Sequence, residues 1–205
     1  MNYVKKTNIP HLIEDNYLEE FTFDVMKGKI VPQDLEKKKY DDQLMDYQPI
    51  QWTFIYPQVY EDYIPSKDKE SINSLYNWNL SHTFYIKGHT SPSIGIIKPL
   101  IDKIDLLGLY RIKANLTIKH PTEQYVMPFH VDLEPPPKNV TMFTSIFYMN
   151  TNNGFTELED GTRIDAVENR LLTFPADTYH AGSYCTDEFA RVVINLNYFK
   201  DMKLK

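Results

Sequence analysis

From Tyr110 onward the spacing of apolar residues shortens to two, and nothing else in the chain restricts its fold as strongly. Tyr110, Ile112, Ala114, Leu116 and Ile118 alternate with Arg111, Lys113, Asn115 and Thr117, the pattern of a strand with one apolar face. Asn153-Gly154 and Asp160-Gly161 are hairpin signals, and they bracket a short strand at 155–159. Further strands are expected at 129–133, 140–150, 163–167, 170–174, 179–184 and 190–199. About eight strands joined by turns suit a jelly roll. The expected class is therefore mainly β with flanking helices.

The first half of the chain obeys other periods. Residues 12–26 carry a loose helical pattern, and 51–56, with Trp52, Phe54 and Tyr56, form an aromatic strand candidate ended by Pro57. Residues 92–106 give the clearest helix, because Ile94, Ile97, Ile101 and Ile104 recur at spacings of three and four. Ser91 or Ser93 can cap it, and Pro99 fits only the first turn of a helix that starts later. At 205 residues the economical organisation is one domain over 1–205, with an N-terminal α/β buttress at 1–109 and the β core at 110–199.

The net charge of −6 and the lack of a basic stripe argue against nucleic acid as a partner. A single cysteine, Cys185, excludes an intrachain disulfide framework and fits a reducing compartment. No apolar run approaches the roughly 18 residues that span a bilayer, and the acidic stretch after the first residues does not read as a signal peptide. A cytoplasmic protein without membrane contact is expected.

Within the β half, Pro128-Phe129-His130-Val131-Asp132 is followed by His180 and then Arg191. Two imidazoles and one carboxylate hold non-haem Fe(II) while leaving coordination positions open. His130 and Asp132 are two apart, which on a strand points both side chains to one face. His180 lies 48 residues past the aspartate, a distance natural for a ligand returned by a later strand. Arg191 supplies a fixed cation for a carboxylate cosubstrate. Arg191, Val193, Asn195 and Asn197 share one strand face, as expected of the wall of a polar cavity, and Val192, Ile194, Leu196 and Tyr198 share the apolar other.

These residues give the chain from about 110 to 199 a family likeness. It resembles the 2-oxoglutarate- and Fe(II)-dependent oxygenases, in particular the prolyl-4-hydroxylase-like branch and, within it, small members encoded by bacteriophages. The likeness is carried by the HxD motif, by Thr144 to Asn150 with Asn152-Asn153-Gly154, by Leu171 to Phe174 ahead of His180, and by the strand from Arg191 to Tyr198. It implies a double-stranded β-helix (a jelly roll, cupin-like) as the core. It implies Fe(II) on His130, Asp132 and His180, with 2-oxoglutarate and O2 as cosubstrates and Arg191 on the far carboxylate. The implied reaction hydroxylates an unactivated C–H bond while 2-oxoglutarate is converted to succinate and CO2. Many relatives place Ser or Thr two residues after the arginine, where this chain has Val193; Tyr125 or Thr117 would then supply the hydroxyl. Asn115 matches an amide that contacts the cosubstrate in some relatives.

Two other classes stay open on the sequence. One is a cupin-type metal enzyme that does not use 2-oxoglutarate; the other is a non-catalytic β-sandwich binding module. His11, His82, His89 and His120 lack a same-face carboxylate in a comparable strand, and Cys185 lacks a nucleophile's surroundings. Arg111 and Lys113 share the polar face of their strand and could bind substrate or face solvent. The triple proline at 135–137 reads as a rigid connector. The substrate is open among a protein side chain, a free amino acid and a small metabolite, encountered in a host cytoplasm if the chain is phage-encoded.

Overall fold

The longest alternating stretches form the longest strands, and they lie side by side. A computed structural model describes residues 6–32, 50–56, 78–132 and 141–200. The triple proline at 135–137 and the start of the strand expected at 140 fall outside them. In chain order the elements are β1 (Leu12–Glu14), α1 (Glu20–Ile30), β2 (Thr53–Ile55), β3 (Asn79–Ile86), β4 (His89–Thr90), a 3-10 turn (Pro92–Ile97), α2 (Lys98–Lys103), β5 (Gly108–Ile118), β6 (Met142–Tyr148), β7 (Phe155–Leu158), β8 (Arg163–Asp165), β9 (Leu171–Pro175), β10 (His180–Gly182) and β11 (Ala190–Phe199).

Two antiparallel sheets face each other. The larger runs β1-β9-β6-β11-β5-β3-β2, with β4 paired to β3, and the smaller runs β10-β7-β8. β11 is central and pairs with β5 from Ala190↔Ile118 through Arg191↔Thr117, Val193↔Asn115 and Asn195↔Lys113 to Asn197↔Arg111. That register puts the two polar faces on one side of the sheet. The apolar faces, with Ile112, Ala114, Leu116, Val192, Ile194, Leu196 and Tyr198, turn the other way onto Phe23, Met26 and Ile30 of α1 and onto Ile97 and Leu100. Between the sheets a smaller apolar cluster, including Ile146, Tyr148, Leu158, Leu172 and Phe174, closes one end of the sandwich. What remains between the sheets is the polar cleft described below.

Several expectations need correction. The helical pattern at 12–26 covers two elements: Asn16 is held in the left-handed region at φ 51°, and the backbone before it pairs with β9 as β1. Helix α1 begins only at Glu20, with Phe23, Met26 and Ile30 as its buried stripe. The helix expected at 92–106 is split. Ser91 caps a 3-10 turn by accepting from the Ser93 N–H, and Pro99 stands in the first turn of α2, where its missing N–H costs no helical bond. Asn153-Gly154 does not turn a hairpin, because β6 and β7 belong to different sheets and the segment carries the chain between them. Asp160-Gly161 does turn one, between β7 and β8, with Gly161 at φ 94°. No continuous strand forms around His130; only isolated bridges pair Val126 with Ser183 and His130 with His180. Pro128 lies between these bridges and has no N–H to offer, which breaks the ladder.

Candidate functional site

The single bridge at His130 decides the geometry of the site. Its N–H donates to the His180 carbonyl at 3.0 Å and the His180 N–H donates back at 2.9 Å. Residues opposed in this way project their side chains to the same side of the ladder, and the two rings lie 4.8 Å apart between centroids. Each ring is locked by its own backbone: His130 Nδ1 meets the Pro128 carbonyl at 3.0 Å and His180 Nδ1 meets the Thr178 carbonyl at 3.0 Å. A carbonyl can only accept, so Nδ1 carries a proton in both rings, and in a neutral ring held this way Nε2 is the nitrogen left with a lone pair. This arrangement is the one that orients imidazole as a metal ligand. Phe174 packs edge-on against His180 and fixes its ring further.

Asp132 completes the cluster. One ligand atom from each of His130, Asp132 and His180 lies within 4.8 Å of the others, and His130 Nε2 is 3.8 Å from Asp132 Oδ1. The carboxylate is buried and held from two sides. Arg111 Nη2 is 3.0 Å from Oδ1, while Asn197 Nδ2 donates to Oδ2 at 3.1 Å. Asn197 is fixed in turn, donating to Thr144 Oγ1 at 3.0 Å and accepting from Arg111 Nε at 3.1 Å. Burial opposes the charge on Asp132, but the positive charge of Arg111, with lesser contributions from the histidines and Lys113, outweighs it and holds the carboxyl well below the usual range. Burial drives His130 the other way, to a pKa of about 3, so its ring is neutral at physiological pH, the form that binds metal.

The cluster stands at one end of a cleft of about 430 Å³, part of it open to solvent, lined by Lys113, Asn115, Thr117, Thr156, Arg191 and Asn195 among others. Arg191 is 5% exposed. Its Nη2 donates to Thr156 Oγ1 at 2.9 Å, and its guanidinium lies 5.6 Å from the centre of the Tyr148 ring. Two glycines leave room for it. A Cβ at Gly154 would stand 2.9 Å from Arg191 Cδ and 2.8 Å from Asn152 Oδ1, and one at Gly182 would stand 3.3 Å from Arg191 Nη1. Among the described residues, the buried atoms His180 Nε2, Arg191 Nε and Asn195 Oδ1 have no hydrogen-bond partner. Buried polar atoms are ordinarily paired. Three such atoms around one cleft fit a polar ligand and a cation seated on the histidines.

Of the residues expected from sequence, His130, His180, Arg191, Asn115 and Thr117 line this cleft. Asp132 joins the two histidines. Asn115 Oδ1 accepts from Asn79 Nδ2 at 3.0 Å. Tyr125 is not among the lining residues; its ring packs edge-on against Tyr184. The hydroxyl beside Arg191 comes from Thr156, which the sequence reading missed. Thr156 faces Arg191 only because β7 stacks across the cleft, and no local motif marks it. Neither Asp187 nor Glu188 pairs with Arg191; Asp187 instead accepts from the Asn153 N–H. His82 and His120 are occupied in loop contacts, His82 with the Gln51 carbonyl and His120 with the Thr122 and Glu123 N–H groups.

No protein-family model matches the chain, and no curated protein matches it in sequence. Solved structures do match in fold. A viral collagen prolyl hydroxylase from Paramecium Bursaria Chlorella virus-1, in complex with 2-oxoglutarate, aligns over 96% of this chain and 98% of its own, at 13% identity and a TM-score of 0.51. A prolyl hydroxylase from Trichoplax adhaerens, bound to a peptide of hypoxia inducible factor, aligns over 94% and 84% at 14% identity and a TM-score of 0.55. A non-haem α-ketoglutarate-dependent carbocyclase of nogalamycin biosynthesis aligns over 94% and 80% at 9% identity and a TM-score of 0.56. The chain has the jelly-roll fold shared by the prolyl hydroxylases and other 2-oxoglutarate-dependent oxygenases. No helix among the described residues is long and apolar enough to cross a membrane.

Proposed function

We propose that this chain, built on the oxygenase jelly roll, is an Fe(II)- and 2-oxoglutarate-dependent oxygenase that hydroxylates an unactivated C–H bond. One observation carries the reading: a convergent His-Asp-His cluster and a buried arginine stand at two ends of the same cleft. Their separation suits a short diacid. Arg191 Nη1 lies against Gly182, which is two residues past His180 on β10, or about 6.7 Å of strand.

His130, Asp132 and His180 hold the metal in this reading. Fe(II) held there would activate O2, the oxidant, with one oxygen atom going to 2-oxoglutarate as it yields succinate and CO2 and the other to the substrate C–H bond. Arg191 holds the far carboxylate through its planar fork. Thr156 takes the part of the hydroxyl absent at Val193. Its oxygen already accepts from Arg191 and from the Tyr148 hydroxyl, at 2.9 and 2.8 Å, which leaves its own proton to donate to an anion. Asn115 forms part of the wall between the two ends, and Thr117 stands opposite Arg191 in the strand register. Arg191 distinguishes this reading from a cupin-type enzyme without a 2-oxo acid, for which a buried guanidinium with no carboxylate beside it has no use. The structural neighbours include one enzyme bound to a peptide and one from nogalamycin biosynthesis, and the substrate is proposed as a protein side chain, an amino acid or a small metabolite.

Titration of the oxygen-free, Fe(II)-loaded protein with 2-oxoglutarate tests the reading through the metal-to-ligand absorption band. A saturable band that is lost in His180→Ala and weakened in Arg191→Ala is expected. A metal-loaded parent that develops no band would overturn it.

A further inference from the structure

Lys113 lies on the cleft wall with His130 and His180, yet among the described residues its side chain makes neither a hydrogen bond nor an ion pair. Both Asp132 oxygens are turned to other donors, Oδ1 to Arg111 and Oδ2 to Asn197, and Lys113 forms no ion pair with that carboxylate. No other acidic side chain lines the cleft among the described residues. Burial, reinforced by the charge of Arg111 and opposed by Asp132, lowers the Lys113 pKa to about 8. The sequence left Lys113 open between substrate and solvent; the fold half-buries it on the cleft wall.

The strand register says which end of a ligand this cation meets. Lys113 pairs with Asn195, one two-residue step from the Asn197↔Arg111 rung that holds the metal carboxylate. It stands four residues, or about 13 Å of strand, from the Thr117↔Arg191 rung. Among the described residues the cleft therefore carries one cation without an ion-pair partner near each end, which matches a ligand bearing one carboxylate near each end.

Resting on the oxygenase reading above, we infer that Lys113 is a cosubstrate-binding residue that pairs with the carboxylate lying at the metal, while Arg191 takes the far one. The two residues form a clamp specific for a dianion. Lysine suits the metal end, since a point charge on a flexible stem adapts to a carboxylate whose direction the metal already sets.

Calorimetric titration of the Mn(II)-loaded protein with 2-oxoglutarate and with oxalate tests this. Oxalate fills the metal end and has nothing to offer Arg191. Lys113→Met should weaken both ligands by the same factor, about 10- to 100-fold for a lost charged contact. Arg191→Ala should weaken 2-oxoglutarate alone, and Lys113→Arg should restore part of the loss. Mn(II) affinity of Lys113→Met should not fall, which separates ligand pairing from damage to the metal site. The inference is overturned if Lys113→Met binds 2-oxoglutarate as the parent does. It is equally overturned if that variant loses 2-oxoglutarate but keeps oxalate, because Lys113 would then touch the far carboxylate. A parent that binds Mn(II) but neither ligand would overturn the oxygenase reading itself, and the clamp with it.

Discussion

Along β11, Val192, Ile194, Leu196 and Tyr198 are packed into the helix-backed core, while Arg191, Asn195 and Asn197, alternating with them, project into the cleft between the sheets. Both sets are almost fully buried. The first set has only shape to satisfy, whereas each polar group of the second needs a partner, and it is there that atoms are left without one. Burial alone therefore does not distinguish the core of this protein from its site. Unsatisfied polar atoms do.

The contrast breaks most severely where a buried charge is stranded. Asp132→Ala removes a metal ligand and leaves the Arg111 guanidinium inside without its carboxylate. Metal binding should vanish, and stability in urea should drop by about 3–5 kcal/mol, the usual cost of orphaning one member of a buried pair. On the opposite face, Leu196→Ala should cost about 2–5 kcal/mol through the cavity it leaves, with metal affinity per folded molecule unchanged. Equal losses of metal affinity in the two variants would show that the faces are not separable.

A pH series sharpens the same point. The folded state holds Lys113 at a pKa of about 8 against 10.5 ordinarily. A cation with a lowered pKa contributes stability above its unfolded value, and that stability is lost as pH falls through the window from 10.5 to 8. The ligand-free parent should thus gain on the order of 2–3 kcal/mol relative to Lys113→Met between pH 8 and 10.5, with no further divergence below 8. Parallel pH profiles would place the ammonium in solvent. The smallest effect is expected at Thr156→Val, which keeps the volume and removes one hydroxyl. Affinity for 2-oxoglutarate should fall by about 2- to 13-fold, the worth of one hydrogen bond, as read by calorimetry on the metal-loaded protein.

How much of this was legible in sequence follows the range of each interaction. The two-residue period at 110–118 and 190–199 placed Arg191, Asn195 and Asn197 on one face and the apolar residues on the other, since strand geometry is local. His130, Asp132 and His180 were legible as a set, and the fold brings them together. Arg111, Asn197 and Thr156 were not legible in their roles. Arg111 reaches Asp132 only after β5 and β11 pair, and Thr156 meets Arg191 only across two sheets. Asn153-Gly154 misled for a related reason. Gly154 is there to let Arg191 pass close to the backbone, not to reverse the chain. The segment at 12–26 has side chains that a helix accepts, but pairing of β1 with the edge of β9 overrides that local preference.

The central claim is that the cleft between the sheets converts 2-oxoglutarate, and its most direct test is succinate release. Protein supplied with Fe(II), 2-oxoglutarate and O2 should form succinate slowly even without a primary substrate, at a rate that His180→Ala abolishes and Arg191→Ala reduces. Stoichiometric metal on His130, Asp132 and His180 with no succinate above the His180→Ala background would contradict the account and bring the cupin-type alternative forward.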